Sequence, residues 1–359
     1  MKNINPNEFY ENKKVFITGH TGFKGAWLTQ ILLNFGAEVC GYSLKPNTKP
    51  NLFDALGFKK SIKHVIGDIR DFKLLDKTIA DFKPDIVFHL AAQPIVRDSY
   101  DDPKYTYDVN VMGTVNVLES MRLNNIKTGV IITTDKVYRN IERDVAYKEE
   151  DALGGYDPYS NSKACADLVV SSYIQSFFNP ADHGAKHNTL VASVRAGNVI
   201  GGGDWANARL VPDIMRAFLE KDESLVIRSP KAVRPWQHVL EPLSGYLLLG
   251  AKLHDGQTDK TGAWNFGPEK DDMQSVEKVL EIMIETLGKG RVIVEEDKTK
   301  HEASLLKLDN SKAKIALGWE PRFDLRKAIL ATADWYKEYY TNKSNIKKFT
   351  LGQIKSYFG

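Results

Sequence analysis

An α/β fold built on a doubly wound parallel sheet is predicted by three observations. Strand-like and helix-like patterns alternate through the first half of the chain, the strand-like runs are almost continuously apolar, and the first of them enters a helix through evenly spaced glycines. Continuously apolar strands are buried on both faces, as they are when helices cover a parallel sheet from either side. The first strand is "KKVFITG". The following helix contains "AWLTQILLNFG", where Leu28, Ile31, Leu32 and Phe35 recur at helical spacing and Gly36 ends the run. Further strands read as "AEVCGYSL", "IKHVIGD", "DIVFHLAA", "GVIITT" and "NTLVASVRA", and helical stretches such as "YDVNVMGTVNVLESMRLNN" separate most of them. From about residue 200 the pattern changes. "GGGDWANARLVPD" is loop-like, "AVRPWQHVLEPLSGYLLLGA" leads into a helix, a second helix lies near 275–287, "RVIVEE" reads as a strand, and a closing helix ends in "ATADWYKEYY". Residues 1–195 therefore read as one domain, with a return segment near 238–265. Residues 196–359 read mainly as a smaller α/β lobe over the carboxyl edge of the sheet.

Composition narrows the class of function. A chain of 359 residues suits a large α/β unit or two lobes sharing one site. The net charge of +3 is small and no basic run appears, so nucleic acid is not an expected partner. The first fourteen residues are polar, without the apolar stretch of a signal peptide. No apolar run approaches the ~20 residues that span a bilayer, so no membrane is expected either. Cys40 and Cys165 sit in apolar segments at unrelated positions and read as reduced thiols, which suits the cytoplasm. No cluster of His, Cys or carboxylate has metal-ligand spacing.

The loop "ITGHTGFKG" places Gly19, Gly22 and Gly25 between the first strand and its helix. Glycine is needed where the chain turns sharply, where backbone approaches a pyrophosphate, and where helix packs closely on strand. The helix start adds free N–H groups and partial positive charge. This is a Rossmann-type dinucleotide site, with Thr18, Thr21 and Phe23 beside the glycines. Lys24 reads either as a point charge near a phosphate or as a solvated lysine. The second strand ends in "GYSL", with neither the acid that marks ribose recognition nor an arginine; Ser43 can reach a ribose hydroxyl, and the balance points to NAD. Asp68 and Ile69 in "IGDIRD" stand where the adenine belongs. The small residues of "LAAQ", Leu90, Ala91 and Ala92, leave room for the cofactor before Gln93.

"PYSNSK" contains Tyr159 and Lys163, which share one face of a helix at i and i+4. A phenol with a pKa near ~10 is a poor base at neutral pH. A neighbouring ammonium favours its phenolate, so the pair suits removal of an alcohol proton while a nicotinamide takes the hydride. "IITTDKVY" adds Asp135 and Lys136 side by side after Thr134.

Together "TGHTGFKG", "TTDK", "YSNSK", "RAGNVIGGGDW" and "LDNSKAKIALGWEPR" resemble the extended short-chain dehydrogenase/reductase family. Within it they are similar to the nucleotide-sugar 4,6-dehydratases, on the branch that takes CDP-sugars. The resemblance runs from about residue 12 to near 340. It implies CDP-glucose as substrate and an internal oxidation–reduction that removes water and feeds deoxysugar biosynthesis. It implies that Tyr159 is the base at carbon 4, with Lys163 tuning it and holding the ribose, and that Thr134 hydrogen-bonds the carbon 4 oxygen. It makes Asp135 the acid for water loss. Lys136 stands where the dTDP- and GDP-sugar enzymes have the glutamate base, and it reads either as a neutral base or as an electrostatic partner of Asp135. It implies substrate contacts from Gln93, Asn198, Arg209 and Arg234, with Gly201, Gly202 and Gly203 allowing close approach of the backbone to the ligand. Trp205 and His238 read as packing residues, with a ligand contact as the alternative. The family's pairing through the Tyr-x-x-x-Lys helix and the helix before it implies a homodimer or homotetramer. A 4-epimerase would share the glycine loop and Tyr159/Lys163 but has no use for the Asp-Lys pair. A non-catalytic dinucleotide sensor would keep the glycine loop but has no need of Tyr159.

Overall fold

Residues 4–142, 144–295 and 305–359 are described by the computed structural model. β1 (Lys14–Thr18) is the first strand of the sheet, and all of it after Lys14 is buried. β2 (Glu38–Ser43) and β3 (Lys63–Ile66) add to one side. The chain then crosses over, and β4 (Ile86–His89), β5 (Thr128–Ile132) and β6 (Leu190–Ala196) add to the other. β7 (Asn198–Ile200), β8 (Leu225–Ile227) and β9 (Val233–His238) follow, and β10 (Gly262–Phe266) returns to pair with β6. The result is a seven-stranded sheet in the order β10-β6-β5-β4-β1-β2-β3, parallel throughout. This is the doubly wound α/β sheet predicted from the alternating pattern. The order reverses between β1 and β4, so a crevice opens beyond their carboxyl ends, where such sheets bind ligands.

The glycine-loop helix Phe23–Asn34 and the return helix Leu240–His254 cover one face. Phe72–Phe82, Gly113–Leu123 and the tyrosine helix Pro158–Ser176 cover the other. Two apolar clusters result: Val15, Ile17, Phe88, Val130 and Val194 belong to one, and Phe16, Val87, Ile131 and Val191 to the other. Strand neighbours point to opposite faces, which is why consecutive residues fall into different clusters.

Past residue 196 the strands are short. β11 (Met273–Ser275) pairs antiparallel with β9, which pairs parallel with β7. β12 (Val292–Val294) pairs with β8. This last strand is the central part of the run "RVIVEE", whose Glu296 lies outside the described residues. The closing helix expected from the sequence near residue 340 is Leu325–Thr341. A further helix, Ile346–Phe358, follows it. Its Thr350 accepts from Trp335 Nε1 at 2.8 Å, and Tyr357 donates to Glu241 at 2.7 Å. Short, polar-rich sequence masks this helix, and long-range contacts hold it.

Candidate active site

Gly19 lies at φ +78°, where a Cβ would sit 2.8 Å from the Ala91 nitrogen; one at Gly25 would be 2.1 Å from the Gly19 oxygen. Both positions thus require glycine for close packing of loop, helix and β4. Gly22 differs: it is exposed, and a Cβ there would make only an ordinary contact with the Gly19 oxygen at 3.4 Å. It is also the N-cap of the Phe23–Asn34 helix and offers no capping side chain, which leaves the helix start to an outside acceptor. Thr18 is fully buried; its hydroxyl lies 2.7 Å from His89 Nδ1 and accepts from the Leu90 and Ala91 amides. It therefore ties β1 to the turn after β4. Thr21 and Ser43 lie 2.5 Å apart, and both hydroxyls donate to or compete for the Leu44 carbonyl. Asp68 is held by Arg70 through its Nε and Nη2, and with Arg70, Asp71, Asp108, Met112 and Asn116 it lines a surface cavity of ≈ 540 Å³. Ile69 packs its side chain on Gly113 and its carbonyl accepts from Asn116.

The tyrosine helix starts sharply. Asp157 caps it by accepting from the Ser160 amide, Pro158 is its first residue, and the Tyr159 amide donates to Ser99 Oγ at 3.1 Å. One turn on, Lys163 is buried and donates to the Ile132 carbonyl at 2.9 Å. Burial, and then the nearby Lys24, push the Lys163 ammonium down to about 7, against the pull of Asp167. Lys24 itself is pushed down to about 8 by burial and by Arg209, while Asp135 and Asp204 oppose the shift. The glycine-loop lysine therefore points into this cleft.

Immediately after β5 the chain makes a single 3₁₀ turn, Asp135–Val137, for which Thr134 is the N-cap. Three residues per turn carry Asp135 and Lys136 out of the strand alternation. Asp135 is 2% exposed. Its Oδ1 accepts from Thr134 Oγ1 at 2.9 Å, and its Oδ2 has no hydrogen-bond partner among the described residues. Burial raises its pKa above the usual carboxylate range, opposed by Lys136, Thr134, Arg234 and Lys24. Burial also raises Tyr159, to about 12. The groups that favour its phenolate are the Thr134 hydroxyl and Arg209. The Lys163 ammonium, one turn on, is directed at the Ile132 carbonyl of the strand.

Arg209 bonds Asp204 at 2.9 Å and keeps about a third of its side chain exposed. Arg234 is buried on β9 near Asp135. Asn198 opens β7, half-buried, opposite Trp236. Gln93 differs from its sequence reading. It is buried, its amide donates to Ile95 and Thr106, and its carbonyl accepts from the Ile95 amide, so its side chain braces the loop after β4. Gly201, Gly202 and Gly203 are buried, and a Cβ at Gly202 would strike the Trp335 ring at 2.0 Å and one at Gly203 the Leu52 side chain at 2.5 Å. Their bareness makes room for Trp335 of the helix Leu325–Thr341 and for Leu52 in the amino-terminal half of the chain. Trp205 stands among Trp335, Tyr336 and Tyr339, and His238 is fully buried between Trp27 and Phe323, as packing residues do. Sequence reasoning missed Asp204, Asp167 and Arg195, because each takes its role from a partner brought close by folding.

The family described as GDP-mannose 4,6 dehydratase matches residues 16–332. The chain is 49% identical over 333 residues to a CDP-glucose 4,6-dehydratase of Salmonella typhimurium, covering 92% of each chain. It is 27% identical over 350 residues to a UDP-glucose 4-epimerase of Lactobacillus helveticus, covering 91% of this chain and 98% of that one. A solved dTDP-glucose 4,6-dehydratase from Streptomyces venezuelae, with NAD bound, superposes with a TM-score of 0.78 at 23% identity, over 94% of this chain and 99% of that one, and so shares the fold.

Proposed function

The chain belongs to the GDP-mannose 4,6 dehydratase family, and from that premise we propose that it converts CDP-glucose to CDP-4-keto-6-deoxyglucose with NAD. One observation carries the reading. The turn after β5 joins a buried, protonatable Asp135 and the adjacent Lys136 to Thr134 and Tyr159. An alcohol oxidation or an epimerisation at carbon 4 needs Tyr159 but has no task for that pair.

The uncapped helix start and the exposed backbone at Gly22 fit a dinucleotide diphosphate. Asp68 and Ile69 would hold the adenine, Thr21 and Ser43 its ribose, and Lys163 the nicotinamide ribose. When bound, NAD supplies the acceptor for hydride from carbon 4 and the donor of hydride to carbon 6, so it ends as it began. Tyr159 takes the proton of the carbon 4 hydroxyl while Thr134 holds the oxygen. The new carbonyl acidifies carbon 5, and Lys136, once neutral, removes that proton. Asp135 gives its proton to the carbon 6 hydroxyl, the carbon–oxygen bond breaks and water leaves. The raised pKa of Asp135 favours the acid form this step needs. Asn198, Arg209 and Arg234 hold the sugar diphosphate, the free edge of the Arg209 guanidinium being suited to paired donation. Residues 196–359 thus supply most of the sugar-nucleotide contacts.

The reading extends to a cytoplasmic homodimer or homotetramer in deoxysugar biosynthesis. Exposed Leu168 and Phe177 at the tyrosine helix, with Met112 and Leu123 at the helix before it, support pairing through those helices. Cys40 and Cys165 are free thiols. No helix among the described residues is long and apolar enough to cross a membrane.

The test is incubation of the purified protein with NAD and, separately, CDP-, dTDP-, GDP- and UDP-glucose and GDP-mannose. A 4-keto-6-deoxy product from CDP-glucose without net NADH is expected. A carbon 4 epimer would establish the other reading, and no turnover of any sugar nucleotide would end both.

A further inference from the structure

Behind the catalytic turn lies a buried ion pair that the chemistry above does not use. Asp167 is one turn beyond Lys163 on the same face of the tyrosine helix. Arg195 lies on β6, two residues from Ser193 and on the same face of the strand. The Arg195 guanidinium reaches Asp167 through Nε at 3.1 Å and Nη2 at 3.2 Å, and both side chains are 4% exposed or less. Asp167 also accepts from Ser193 Oγ at 2.5 Å and from Thr133 Oγ1 at 2.8 Å. Thr133 is the residue before the catalytic Thr134. On its other side Arg195 donates through Nη1 to the Tyr138 hydroxyl at 2.8 Å, with the guanidinium 4.9 Å from the centre of the Tyr138 ring. The Tyr138 hydroxyl donates in turn to Asn265 on β10 at 2.7 Å. Tyr138 directly follows the 3₁₀ turn.

The pair therefore grips both ends of one short segment. Between the anchors Thr133 and Tyr138 lie Thr134, Asp135 and Lys136, and the same aspartate sits on the helix that carries Tyr159 and Lys163. A buried ion pair is weak evidence for added stability, since apolar side chains of similar volume are often as good or better. What apolar side chains would not supply is directional registration of the turn against the helix.

We propose that Asp167–Arg195 is a positioning clamp, which holds the acid–base turn in register with the Tyr159/Lys163 helix so that water loss follows carbon 4 oxidation on one bound sugar. The proposal rests on the dehydratase reading, and its test separates the two. Tyr138→Phe releases the far anchor, Thr133→Val the near one, and Asp167→Asn both. Single turnover of CDP-glucose with NAD is followed by the rise of reduced-cofactor absorbance (carbon 4 oxidation) and its decay (after water loss). Amide hydrogen exchange of residues 134–138 is measured in the same proteins. A turn displaced by a fraction of an ångström should slow the decay roughly 10- to 100-fold, leave the rise within about twofold, and speed exchange at 134–138. Rise and decay slowed by the same factor would overturn the clamp, as would variants that leave decay and exchange unchanged. If the unsubstituted protein turns over no sugar nucleotide, the dehydratase reading falls, and unchanged exchange at 134–138 in all three variants would then overturn the clamp independently.

Discussion

Asp135 and Asp167 are buried to the same degree, at 2% and 3% exposure, yet their surroundings suit them to opposite tasks. Asp167 accepts from two hydroxyls and from two nitrogens of one guanidinium. Asp135 accepts from one hydroxyl, and its second oxygen has no partner among the described residues. Burial penalises charge at both places, but only the first supplies donors enough to compensate a carboxylate. At the second, the penalty appears as a raised pKa. Burial alone thus does not say whether an aspartate is a brace or an acid; the donor inventory does.

Substitution offers the hardest test of that contrast. Asp135→Asn should cut dehydration by roughly 10²- to 10⁴-fold, the usual worth of a placed general acid, in a steady-state product assay. Urea titration should find the same variant at least as stable as the original at neutral pH. The sign follows from linkage: the folded-state pKa of Asp135 lies above the unfolded one, so the carboxyl weakens the fold as pH rises past the unfolded value of about 3.9. A variant that lost several kcal/mol would show that the carboxylate is braced after all. Turnover by the intact enzyme should likewise fall as pH climbs through the raised value, because the acid form is then lost.

Asp167→Asn should instead lose roughly 3–5 kcal/mol in urea, since it leaves a buried guanidinium without its counter-charge. A loss under about 1 kcal/mol, the scale of an exposed pair, would erase the distinction between the two aspartates.

A further effect concerns bases rather than acids. Burial pushes His89 and His238 down to about 3, and burial with the neighbouring His64 does the same to His20. Each is neutral when folded but takes up a proton when unfolded below about pH 6.5. Stability should therefore be complete above that pH and fall as pH drops toward 3, by roughly 3 kcal/mol for each ring at pH 4. Denaturation midpoints measured from pH 7 to pH 4 check this. A flat profile would mean that these rings keep a route to water.

The features legible in the sequence are those whose cause is local. Apolar runs such as 129–132, the loop from Gly19 to Gly25, and the i, i+4 pairing of Tyr159 with Lys163 depend on neighbours within a few residues, and the structure has them where the spacing put them. Less legible are positions where the same residue type serves two purposes. Bare backbone at Gly202 makes room for Trp335, 133 positions away in the chain. The Gln93 amide is spent on Ile95 and Thr106.

By itself the sequence determined the parallel α/β sheet, the glycine loop, the Tyr-x-x-x-Lys helix and the presence of an acid and a base after β5, because periodicity and spacing express which faces are buried and which groups can meet. Tertiary structure alone decided what state those groups are in. Asp135 is pushed up, Lys163 is held near 7 and Tyr159 near 12 because of walls contributed by the glycine loop, β9 and residues beyond 196. The hydrogen-bonded network around the turn after β5 joins residues 133, 138, 167 and 195. Charge state depends on desolvation and on donors in three dimensions, and no local pattern encodes either.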